Sequence, residues 1–125
     1  MDNSKVRKLF IFGTLFWSVV IIFLSVIPAN DLPRIKIQNI DKLVHFGLFL
    51  VYGFLMSGAI IIDNKKKYIF IVVILCLFLF GWIMETIQGF LPDRTSDIKD
   101  IMFNTSGAIL GVSVYLVLKR KIFKG

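Results

Sequence analysis

An all-α membrane protein, a bundle of four transmembrane helices, is the fold class this sequence predicts, on three observations. Four apolar runs, Leu9–Ile27, Val44–Ile62, Ile69–Leu91 and Ile101–Leu118, fill most of the 125 residues. Each is 18 to 23 residues long, which at about 1.5 Å per residue matches a hydrocarbon core of about 30 Å. Hydrophobic residues make up 57% of the chain, more than a soluble domain this small could hide from water. The connections are too short for a separate soluble domain, so residues 1–125 are expected to form a single transmembrane domain.

The first run follows a basic segment holding Lys5, Arg7 and Lys8, as a signal peptide would. Its 19 apolar residues are long for a signal, and Ser25-Val26-Ile27-Pro28 is a poor cleavage site, so it is read as a mature span. Pro28 and Pro33 stop it. The connection up to Ile40 is the longest, and its Ile35-Lys36-Ile37 piece suits the membrane surface. Asp41 stands where an N-cap would open the second span. That span turns at Asp63-Asn64 into Lys65-Lys66-Lys67. The third starts near Tyr68 and ends at Pro92, and either Ser96 or Asp97 can cap the fourth. Cys76 lies alone inside the third run, with no partner for a disulfide, so packing is its expected role.

The formal net charge of +7 would suit a nucleic-acid binder, but its distribution does not. Ten of the 15 Lys and Arg residues lie in the two tails and after span two; five lie after spans one and three. This bias is the positive-inside pattern. It predicts a multi-pass protein of the cell membrane with both termini and the 63–68 connection cytoplasmic, meeting membrane lipids rather than nucleic acid. Six of the eight acids, Asp31, Asp41, Glu85, Asp93, Asp97 and Asp100, then fall toward the outside.

Polar residues recur at helical spacing around two connections. Asp97, Asp100, Asn104, Gly107 and Gly111 stand three or four residues apart and share one face of the fourth helix. Its Gly107-x-x-x-Gly111 step lets another backbone approach, within the chain or from a second copy in a homo-oligomer. On the third helix, Glu85 and Gln88 share a face with Gly81. An acid there costs about 2 to 3 kcal/mol toward the bilayer centre; Glu85 should therefore face the bundle, either kept neutral or matched by a cation. On the second helix Asp41, Lys42, His45, Phe49 and Tyr52 share a face, and His45 can pair with Glu85 or Asp100.

One polar pair would lock a small bundle through interhelical hydrogen bonds of about 0.6 to 2 kcal/mol. Nine residues, Asp41, Lys42, His45, Glu85, Gln88, Arg94, Asp97, Asp100 and Asn104, converging on one leaflet look like a ligand-binding pocket. Lys42 and Arg94 suit phosphate or carboxylate, while Glu85 and His45 are candidates for general base and acid. One imidazole among carboxylates could hold a hard or borderline cation, but no HExxH or His-rich spacing is present, so neither a metal nor another cofactor is expected. No Gly-x-Ser-x-Gly or Walker-type loop supports a hydrolase or nucleotide site. Four helices with an apolar inner half are few for a carrier.

Three blocks carry a resemblance to a known family. Asp41-Lys42-x-x-His45-Phe46 opens one span and Glu85-x-x-Gln88 closes the next. Arg94-x-x-Asp97-x-x-Asp100-x-x-x-Asn104-x-x-Gly107 follows. Together they resemble the VanZ-like family of small bacterial membrane proteins, over about residues 27–111. The namesake is associated with low-level teicoplanin resistance without altering the D-alanyl-D-alanine target. The resemblance implies a bacterial cell-envelope role, changing how lipoglycopeptides or lipids meet the outer leaflet, and it implies no settled reaction.

Overall fold

The computed structural model describes residues 2–27, 40–61, 68–92 and 96–123, and among them every regular element is helical. The helices are α1 (Asn3–Val26), α2 (Ile40–Ile60), α3 (Ile69–Gly89) and α4 (Ile98–Ile122). All four are long and apolar enough to cross a membrane. Three helices begin before their apolar runs because local chemistry lets them. Asp2 caps α1 by accepting from the Ser4 backbone N–H at 3.2 Å, so the basic segment joins the helix. Asp97 caps α4, accepting from the Lys99 backbone N–H at 2.9 Å. Asp41 is not a cap: it lies within the first turn of α2, where a carboxylate favours the exposed amides and the positive end of the helix dipole. Pro28, the 35–37 piece, Asp63-Asn64, the lysine triplet and Arg94 lie outside the described residues.

The closest pairing is α2 against α4, and glycines make it possible. A Cβ on Gly107 would strike the Phe46 carbonyl oxygen, and one on Gly111 that of Leu50. From the other side, a Cβ on Gly53 would sit 2.6 Å from the Ala108 carbonyl oxygen. The Gly107-x-x-x-Gly111 step is thus occupied by α2 of the same chain. In lipid, where tails are as apolar as leucine, such close van der Waals contact holds helices together.

Helix α1 joins through polar anchors. Trp17 Nε1 donates to the Leu48 carbonyl at 2.8 Å, and the Ser18 and Tyr52 hydroxyls share a hydrogen bond of 2.6 Å. Arg7 Nε donates to the Ala59 carbonyl at 3.3 Å, so the start of α1 meets the end of α2. Tyr115 donates to the Ile61 carbonyl at 2.6 Å, bringing in the end of α4. At this end the Phe10 ring packs against Phe54, Tyr115 and Phe123. Cys76 is exposed on α3 rather than packed.

Candidate functional site

The opposite end of the bundle gathers the start of α2, the end of α3 and the start of α4. Each side chain arrives there by helical spacing. Lys42 and His45 are neighbours on α2, Glu85 and Gln88 on α3, and Asp97, Asp100 and Asn104 on α4. Three of these are nearly sealed off, Glu85 at 1% exposure, Asn104 at 3% and Asp100 at 7%. Buried ionisable groups have to find partners, and here they come from other helices.

Lys42 is the hub. Its ammonium donates to Asp97 Oδ2 and Asp100 Oδ1, both at 3.1 Å, and more distantly to Asp41 Oδ2 at 3.5 Å. Asp41 is otherwise exposed to solvent. His45 Nδ1 lies 3.0 Å from Asn104 Oδ1, and its Nε2 lies 3.6 Å from Asp100 Oδ2. Glu85 Oε1 accepts the Asp97 backbone N–H at 2.8 Å, tying the end of α3 to the cap of α4. Asp97 has one oxygen on the Lys99 backbone N–H and the other on Lys42, and those two bonds hold its carboxyl below the usual range. One ligand atom each from His45, Glu85 and Asp100 lies within 4.8 Å of the other two.

Below this cluster the floor is aromatic. Phe49 and Tyr52 are buried and meet edge to face, with ring centroids 5.9 Å apart. Gly81 leaves the room: a Cβ there would lie 3.3 Å from both Asn104 Nδ2 and the Phe49 ring.

Of the nine residues singled out from sequence, seven stand in or beside this cluster: Asp41, Lys42, His45, Glu85, Asp97, Asp100 and Asn104. Gln88 is buried, but its amide makes no hydrogen bond to a described residue. Arg94 lies outside the described residues. Lys42 is engaged by carboxylates, so it neutralises the cluster rather than offering a free ammonium. What the sequence reading missed is Gly53, whose partner surface around Ala108 is visible only once α2 and α4 are placed together; a glycine in an apolar run was the available signal.

A search of curated proteins and of solved structures finds no match. A family model does match: that of VanZ/LLP1 covers residues 3–119, from the start of α1 to the last turn of α4. This 125-residue membrane protein therefore belongs to the VanZ/LLP1 family.

Proposed function

We propose that the polar end of the bundle is a pocket open to the outside of the cell, which binds the head group of an envelope lipid or of a lipid-bearing glycopeptide antibiotic. The observation that carries this reading is the meeting of His45, Glu85 and Asp100, from three different helices, within 4.8 Å. A structural lock would need one buried pair, and each further buried charge costs desolvation energy. The positive-inside bias of the tails supports cytoplasmic termini and hence an outward site. Membership of the VanZ/LLP1 family supports a VanZ-like membrane protein; the link to teicoplanin-type resistance is carried by the resemblance to the family's namesake alone.

Glycopeptide susceptibility of a host expressing the chain tests this reading. Glu85→Ala or Asp100→Ala is expected to abolish any protection while the protein remains in the membrane at wild-type abundance. Protection that falls only in step with abundance would mean that these residues serve folding alone.

A second reading, a membrane-embedded enzyme acting on a lipid-linked or cell-wall substrate, draws on the nearness of the His45 imidazole to the Glu85 carboxylate, a pair suited to general acid–base work. Mass spectrometry of envelope lipids from a deletion strain separates the two. A lipid that accumulates or disappears favours the enzyme, and an unchanged profile favours the binding module.

A further inference from the structure

We propose that His45, Glu85 and Asp100 form a binding site for one divalent cation of the manganese or zinc type. This departs from the sequence reading, in which the lack of a metal motif spoke against an ion. The three ligands come from three helices, so no local spacing could announce them.

The tautomer of His45 points to an ion. An amide oxygen only accepts, so the 3.0 Å contact with Asn104 Oδ1 places the proton on Nδ1. In the neutral ring, Nε2 then carries a lone pair directed at Asp100 Oδ2, 3.6 Å away. Two acceptors face each other there, beyond hydrogen-bond distance. A cation about 2.1 Å from each atom spans that gap at an angle between tetrahedral and trigonal.

All three groups are held from behind. Metal ligands are typically oriented by outer hydrogen bonds on their other polar atom. His45 has Asn104 on Nδ1, Asp100 has Lys42 on Oδ1, and Glu85 has the Asp97 backbone N–H on Oε1. Each leaves a second donor atom for a shared point, and closing the set needs side-chain movement on the order of an ångström.

Charge points the same way. The Lys42 ammonium is shared by Asp41, Asp97 and Asp100, and buried Glu85 forms no ion pair with a lysine or arginine among the described residues. A divalent ion balances this excess of carboxylates inside a poorly solvated region. One nitrogen with two carboxylate oxygens suits manganese or zinc better than magnesium or calcium, which favour all-oxygen sets. An ion with an open position would also let this acid-rich pocket accept a phosphate or carboxylate, an extension that rests on the head-group reading above.

The test uses the full chain with Cys76→Ser, removing the one thiol, purified into lipid nanodiscs, stripped with chelator and titrated with Mn2+ and Zn2+ salts. One equivalent per chain is expected, with a higher unfolding temperature on binding. His45→Ala, Glu85→Gln and Asp100→Asn should each abolish both. Asn104→Ala, which keeps all three ligands but frees the ring, should weaken binding about 10- to 100-fold. Circular dichroism and size-exclusion profiles confirm that each variant is folded. Absence of stoichiometric binding, or binding that survives Glu85→Gln together with Asp100→Asn, would overturn the site. Binding of an anionic-lipid probe to the stripped protein at full strength would refute the extension and leave the head-group reading intact. Stoichiometric metal with no lipid binding would support the cation site and refute both the head-group reading and the extension.

Discussion

The two ends of this bundle use charge in opposite ways. At the end where α1 starts and α4 finishes, five of the six described basic residues, Lys5, Arg7, Lys8, Arg120 and Lys121, are exposed and Lys119 is buried, while Phe10, Phe54, Tyr115 and Phe123 form the packed interior. At the other end, Glu85, Asp100 and Asn104 are buried, while Phe90 and Ile98 lie on the outside. Exposed lysines beside a membrane are explained by topology and lipid head groups alone. Buried carboxylates are not: they carry a desolvation cost that no topological rule demands. The difference sets generic membrane chemistry apart from a candidate site.

Substitutions in the middle of the bundle should affect both ends most. Gly111→Leu drives a side chain into the Leu50 carbonyl, so α2 and α4 must part and both ends should fail together. We expect loss of about 3 kcal/mol or more, read as loss of the monodisperse folded species in detergent. At the polar end, Lys42→Met removes the ammonium that Asp97 and Asp100 share. A destabilisation of about 2 kcal/mol is expected, largely recovered when Asp100→Asn is added. Phe10→Ala at the basic end should cost about 2 kcal/mol by opening a cavity, yet leave any binding at the polar end unchanged. Replacing Lys5 and Lys8 by Gln should move stability by less than about 0.5 kcal/mol, with the effect appearing instead as mixed membrane orientation in impermeant-maleimide labelling.

A pH experiment sharpens the same contrast. The Asp97 carboxyl is held low by the Lys99 backbone N–H and by Lys42. A group whose folded value lies below its unfolded one stabilises at pH above the ordinary carboxylate range, and that contribution disappears as pH falls through the folded value. Acidification should therefore speed hydrogen exchange at the start of α4 before it affects the aromatic end. Asp97→Asn, which can still cap a helix, should flatten this dependence.

Much of this was legible in the chain itself. Four spans followed from run length, because a helix that must satisfy its own backbone in lipid has few alternatives. The faces carrying Lys42 with His45, Glu85 with Gln88, and Asp97 with Asp100 and Asn104 followed from spacing of three and four. Helix ends were less legible. Apolar runs mark where lipid lies, whereas α1 and α4 continue into polar sequence as far as their caps and backbone hydrogen bonds carry them. Asp41 shows the same limit, since a capping residue type entered the first turn instead. Pairings across helices were the least accessible. Nothing in the order of residues says that Lys42 answers Asp97 and Asp100, or that His45 takes Asn104 on one nitrogen and faces Asp100 with the other. Those facts come from the glycine seam that sets the spacing between α2 and α4. Cys76 was misplaced for a related reason, since an apolar run does not reveal which of its faces meets lipid.

Photo-crosslinking decides whether the buried polar end binds a ligand or only locks the bundle. The wild-type chain and the Glu85→Gln, Asp100→Asn double variant, both in nanodiscs, would be exposed to a phospholipid carrying a photoreactive group at its head group. The account predicts saturable labelling of peptides spanning 40–52 and 81–104 in the wild type, and its loss in a double variant that still elutes as a folded species. Equal labelling of both proteins, or labelling spread evenly along all four helices, would contradict it.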